Sequence, residues 1–143
     1  MKLIPALAVV LAAALPGAAM SAGLEPQTLV IALTGAAEGP GLGDPDGSGR
    51  AELRIDPAAG QFCYALTVTG IAPARLAHIH RSPAGEAGGP IVVTLDPPTD
   101  GRSEGCVAIA PELAQQLLRE PAEYYVNVHN ADHPGGAVRG QLG

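Results

Sequence analysis

The sequence predicts an all-β domain: a sandwich of about eight short strands with one short helix. Three observations carry this expectation. Apolar residues recur with period two in short segments separated by clusters of Gly, Pro and Asp. Helical spacing occurs once, between Pro111 and Arg119. The two cysteines, Cys63 and Cys106, each stand in one of the alternating segments.

In chain order, Leu29, Ile31 and Leu33 alternate with Val30, Ala32 and Thr34. Ala51, Leu53 and Ile55 alternate with Arg50, Glu52 and Arg54, a half-buried strand pattern. Phe62, Tyr64, Leu66 and Val68 share one face of the third segment, and Cys63, Ala65 and Thr67 share the other. Further strands are expected at Leu76 to His80, Ile91 to Leu95, Cys106 to Ile109, Tyr124 to His129 and Val138 to Leu142. For the helix, Pro111 suits a first position, Leu113 and Leu117 fall on one face, and Pro121 ends it. The Gly-, Pro- and Asp-rich stretch Gly35 to Gly49 is expected to be a loop.

Residues 1–22 have the order of a secretory signal peptide, leaving residues 23–143 as one domain. Lys2 is the positive start and Leu3 to Ala19 an apolar run interrupted by Pro5 and Pro16. Small residues follow, so cleavage after Ala19, Ser21 or Ala22 is acceptable. The run is shorter than the ~20 apolar residues that span a bilayer, so no membrane span is expected. The chain is thus expected to be secreted or periplasmic. Beyond Lys2 the positive charge rests on arginine alone, against fourteen acids, giving the mature chain a net charge of about −7. Such a surface repels nucleic acid.

An even cysteine pair in an exported chain reads as one disulfide, Cys63 to Cys106. Closing that loop is worth about 4 kcal/mol by chain entropy. Each cysteine opposes the apolar residues of its own segment. Both are therefore expected on outer faces, with the bond joining neighbouring strands of one sheet.

All four histidines lie in two segments, Ala77-His78-Ile79-His80 and Val128-His129-Asn130-Ala131-Asp132-His133. On a strand, residues two apart project from the same face, about 6.5–7 Å apart, so His78 and His80 can converge while Ile79 faces the core. Imidazoles suit Cu²⁺ or Zn²⁺. The candidate metal ligands are His78, His80 and His129, with His133 and Asp132 as weaker candidates, and Asn127 or Asp132 as groups that orient the rings. The competing expectation is a structural polar cluster, its imidazoles bonded to backbone or to Glu86 or Asp132. Asp44-Pro45-Asp46-Gly47-Ser48-Gly49 matches half a calcium loop. Its twelfth position is Ile55 rather than Glu, so it reads as a strand connection. Arg139 is expected to form an ion pair or to donate to backbone carbonyls.

The chain resembles the CHRD (chordin-type) domain family, in its single-domain exported bacterial form. The resemblance rests on Ala77-His78-Ile79-His80 followed by Gly85-Glu86-Ala87-Gly88-Gly89-Pro90. It rests also on Tyr125-Val126-Asn127-Val128-His129 with Pro134-Gly135-Gly136-Ala137-Val138-Arg139-Gly140-Gln141-Leu142. It covers essentially the whole mature chain and implies an immunoglobulin-like or Greek-key β-sandwich without an established enzymatic activity. At His133 the family more often carries Asn or an aromatic residue. The His78-Ile79-His80 strand is also similar to that of copper/zinc superoxide dismutases, which implies a dismutase-like topology. No histidine between His80 and His129 supplies that family's two-metal bridge. The expected function is an exported binding module holding one Cu or Zn ion, with an unidentified protein or extracellular ligand as partner. A metal-free structural or protein-interaction domain is the alternative, and a copper-dependent oxidoreductase is less favoured.

Overall fold

The computed structural model describes residues 24–143, so the expected signal peptide lies outside the described residues. Eight strands form: β1 (Gln27–Thr34), β2 (Ser48–Asp56), β3 (Gln61–Thr69), β4 (Leu76–Arg81), β5 (Ile91–Leu95), β6 (Arg102–Ala108), β7 (Tyr124–His129) and β8 (Val138–Gln141). One helix, α1 (Pro111–Arg119), lies between β6 and β7. The sixth strand begins four residues before the expected start at Cys106, because Arg102 to Gly105 continue its pairing with β3.

The strands are antiparallel, in the order β5-β4-β7-β8-β1-β2-β3-β6. The neighbours β3–β6 and β4–β7 are each separated by two strands in sequence, which is the Greek-key crossing. The sheet folds into two leaves, β5-β4-β7-β8 and β1-β2-β3-β6, continuous through one pairing of Thr34 with Arg139. At the other seam, Tyr64 Oη on β3 accepts from the Asp96 amide after β5, at 2.9 Å. Ser103 Oγ on β6 donates to the Asp96 carbonyl at 2.8 Å.

Period-two alternation decides what fills the space between the leaves. Ile31, Leu33, Leu53, Ile55, Phe62, Leu66, Ile79, Val126, Val128 and Val138 point inward and are buried. Each such side chain contributes about 1.5–3 kcal/mol. Leu117 and Ala114 of α1 join this core, whereas Leu113 is only partly buried. Turn chemistry closes the β2–β3 hairpin: Asp56 Oδ1 accepts from the Ala59 amide at 3.0 Å. The Asp44–Gly49 stretch leads into β2, and Asp44 Oδ1 accepts from its own loop's Asp46 amide at 3.2 Å.

Cys63 and Cys106 stand directly opposite each other on β3 and β6, with Cα atoms 4.0 Å apart and their sulfurs bonded. The bond therefore lies within one leaf, as their outward positions require. It ties down β6, which among the described residues is an edge strand paired with β3. Replacing both cysteines by serine is expected to lower stability by about 2–4 kcal/mol, read by denaturant unfolding with circular dichroism. The variant's unfolding midpoint should no longer respond to reductant.

A candidate metal centre on the outer face of a leaf

β7 is buried along its whole length, Tyr124 to His129. Tyr124, Val126 and Val128 face the core, so Tyr125, Asn127 and His129 face outward. The outward face is not solvent-exposed, because three connections fold over it: residues 35–47, 82–90 and 130–137. The leaf thus carries an apolar layer on one side and a buried polar layer on the other. Sequence alternation shows which residues are outward, but covering by loops is a tertiary event that it does not encode.

The β4–β7 register assembles the histidines. His78 pairs with Asn127, His80 with Tyr125 and Leu76 with His129. His78 and His80 share the outward face, and Ile79 between them is fully buried in the core. His129 joins them from β7, and each of the three rings is less than 10% exposed. One ring nitrogen from each lies within 4.8 Å of the others. His78 Nδ1 and His129 Nε2 are 3.3 Å apart, the separation of two donors on an ion with bonds near 2.0–2.1 Å. The whole set is somewhat wider than this closest pair.

Backbone carbonyls select the tautomers. A carbonyl oxygen only accepts, so the 2.7 Å contact of His80 Nδ1 with the Gly89 oxygen places the hydrogen on Nδ1. His80 Nε2 is left without a hydrogen, and it is buried with no partner. His129 Nδ1 likewise donates to the Pro134 carbonyl at 3.0 Å, leaving its Nε2 as an acceptor in the neutral ring. His78 Nδ1–H then donates to His129 Nε2. Two Nε2 lone pairs are therefore turned inward, and the carbonyls behind the rings act as orienting groups of the kind that surround metal-bound histidines. Gly89 can serve because a Cβ there would overlap the Arg81 carbonyl.

Burial is the main cause that lowers the pKa of His78, aided by the neighbouring charges of His129 and His80. Burial also lowers that of His129; the bond to Pro134 opposes the shift and His80 adds to it. Both are therefore neutral, and able to ligate, at neutral pH.

Behind the three rings, His80 stacks on Tyr125 with centroids 4.8 Å apart and planes 9° from parallel. From the β8 side, the Arg139 guanidinium lies 3.5 Å from the centre of the Tyr125 ring. Arg139 is 4% exposed, and its side chain reaches Gln141 Oε1 at 3.4 Å rather than the ion pair or backbone carbonyl expected of it. Asn127, 1% exposed, places Oδ1 3.0 Å from His129 Nε2.

The remaining candidates fall elsewhere. His133 Nδ1 donates to the Leu42 carbonyl at 3.1 Å, and its Nε2 lies 3.7 Å from Asp44 Oδ2, so it stands apart from the three-ring cluster. Asp132 is exposed and is not part of that cluster. The carbonyls of Gly89 and Pro134, rather than Glu86 or Asp132, bond the rings. Sequence reasoning missed Glu38, which sits in a 3-10 turn (Ala36–Glu38) of the β1–β2 loop and is buried at 8% exposure. Nothing in its local sequence marks it, since the burial comes from packing against β8.

Against known proteins, a family model described as CHRD domain matches residues 29–142. No curated protein and no solved structure matches the chain. The matched span runs from the first strand to the residue after the last, and it includes every residue of the histidine cluster. The chain belongs to the CHRD domain family.

Proposed function

We propose that the protein is an exported binding module that coordinates one Cu or Zn ion through His78, His80 and His129. The observation that supports this most is the buried, unpartnered Nε2 of His80 within a set of three converging imidazoles. A buried acceptor without a partner costs about 1–3 kcal/mol, and an ion among the three nitrogens removes that cost. The donor set is all nitrogen, which suits Cu or Zn and does not suit the oxygen-seeking Ca²⁺ or Mg²⁺. To ligate through Nδ1, His78 would carry its hydrogen on Nε2, and an ion there would stand in place of the His78–His129 hydrogen bond.

Export fits the disulfide, since such bonds persist in oxidising compartments. Among the described residues no helix is long and apolar enough to cross a membrane. The second reading is a structural or protein-interaction domain. It draws on the same bonds, because His80 and His129 tie the 82–90 and 130–137 loops to the sheet through Gly89 and Pro134. A copper-dependent oxidoreductase is the third, and the lack of histidines between His80 and His129 counts against its two-metal form.

Calorimetric titration with Cu²⁺ or Zn²⁺, on protein purified without a histidine tag, separates the first two readings. One ion should bind per chain. His78→Ala, His80→Ala and His129→Ala should each weaken binding by at least about a hundredfold while keeping the wild-type circular dichroism spectrum. His133→Ala should bind as the wild type does. Unchanged affinity in His78→Ala, or loss of folding in all three variants without any metal effect, favours the structural reading.

The pH dependence of the fold follows from the same rings. The folded-state pKa values of His78 and His129 lie below the unfolded value of 6.5, so the unfolded chain binds more protons below that pH. Their contribution to stability is complete above about pH 6.5 and is lost as pH falls toward the folded values. Thermal unfolding of metal-free protein from pH 8 to 5 should show this decline, and His78→Ala should reduce it.

A further inference from the structure

The donor set of the histidine site is neutral throughout. No carboxylate or thiolate joins His78, His80 and His129 where their ring nitrogens converge. Both cysteines are held in the disulfide. Asn127, whose Oδ1 lies 3.0 Å from His129 Nε2, is neutral as well. Glu86 and Asp132 are exposed. Glu38, the one buried acid among the described residues, is not a member of the set.

A fixed positive charge is packed into the same layer. Arg139 is 4% exposed, and its guanidinium lies 3.5 Å from the centre of the Tyr125 ring. Tyr125 in turn stacks on His80. Because β7 lies between β4 and β8, the Tyr125 ring separates the His80 imidazole from the guanidinium. Among the described residues no acid forms a salt bridge with Arg139. Glu38 is close enough to feel its charge but does not pair with it. The side chain that Arg139 does reach, Gln141 at 3.4 Å, is neutral.

Resting on the metal-binding reading above, we propose that the site selects the monovalent cuprous ion, Cu⁺, over Zn²⁺ and Cu²⁺, with Arg139 as a specificity-determining residue. An ion held by neutral donors keeps its full charge. Taking that charge out of water costs far more for a dication than for a monocation, because the cost grows with the square of the charge. A carboxylate in the set would offset the difference, and none is there. Arg139 adds to it. Across the stacked His80 and Tyr125 rings, at an effective dielectric of about 20, each further unit of ionic charge lowers affinity roughly tenfold. The number of donors points the same way. Zn²⁺ takes four ligands, or three with a water in the open fourth position, and Cu²⁺ favours tetragonal sets. Three imidazoles supply three nitrogens, and rings less than 10% exposed leave little room for solvent to complete a larger set. Cu⁺ accepts three donors.

The test is competition titration of the full chain, purified without a histidine tag, against coloured chelators. Bicinchoninate competes for Cu⁺ under ascorbate without oxygen, and pyridylazoresorcinol competes for Zn²⁺. The wild type should bind one Cu⁺ per chain, about a hundredfold more tightly than Zn²⁺. Its copper-loaded form should have a reduction potential above that of the aqueous Cu²⁺/Cu⁺ couple, and a lower one overturns the preference over Cu²⁺. Arg139→Gln removes the charge and should narrow the Cu⁺-to-Zn²⁺ affinity ratio about tenfold. Arg139→Lys keeps the charge and should keep the wild-type ratio. A packing defect alone would weaken both ions alike, so an unchanged ratio in Arg139→Gln overturns the role of Arg139. Zn²⁺ held by the wild type as tightly as Cu⁺, and lost in His78→Ala, overturns the selectivity while the metal reading stands. That arm needs no Arg139 variant to fold. Binding of neither ion by the wild type overturns the metal reading as well.

Discussion

The antiparallel pairing of β4 with β7 is the constraint on which the polar half of the molecule depends. It sets His78 opposite Asn127 and His80 opposite Tyr125, and brings His129 to the end of β4 from a position some fifty residues later. Because side chains alternate along a strand, this register also commits Ile79, Val126 and Val128 to the core. A slip of one residue would turn one of the two strands over, burying its imidazoles among aliphatic side chains and turning its apolar residues outward. The apolar core thus enforces the geometry of the histidines. The register is specified by burial on the inner face, and the outer face inherits it.

A buried polar layer is stable only if its groups find partners. Here the partners come largely from backbone. Gly89 and Pro134 supply carbonyls to His80 and His129. Asn130 uses its side chain to hold the amides of Asp132 and His133, fixing the turn that carries Pro134. The wealth of Gly and Pro in the covering segments has a function in this light, since small residues allow the backbone itself to approach the rings. Among the described residues, two buried side-chain atoms remain without partners, Glu38 Oε1 and His80 Nε2.

The opposite leaf plays a different part. β1, β2 and β3 pair over long, regular registers, and the Cys63–Cys106 bond fastens β6 to them. The two leaves meet through a single pairing, Thr34 with Arg139. Arg139 therefore stands at the junction of the regular leaf and the polar layer, packed on Tyr125 and close to Glu38. An ion held by His78, His80 and His129 would bind to a surface anchored on strands rather than on free loops, with the orienting groups supplied by loops closed over it.

The local sequence determined the elements and their faces. Alternation identified eight strands, the common face of His78 and His80, and the outward placement of both cysteines, hence a bond within one leaf, while helical spacing and the flanking prolines identified the helix from Pro111 to Arg119. Period two is a property of neighbouring residues, so it can be read without knowing what they pack against. The tertiary structure decided what lies on top of those faces. It brought His129 to the pair and kept His133 with Leu42 and Asp44. It chose the carbonyls of Gly89 and Pro134 over the carboxylates of Glu86 and Asp132. It buried Glu38 from within a Gly- and Pro-rich loop that carries no periodic signal. Those outcomes depend on loop closure across the sheet, where residues distant in sequence meet. No local pattern encodes which backbone carbonyl will stand behind a given ring.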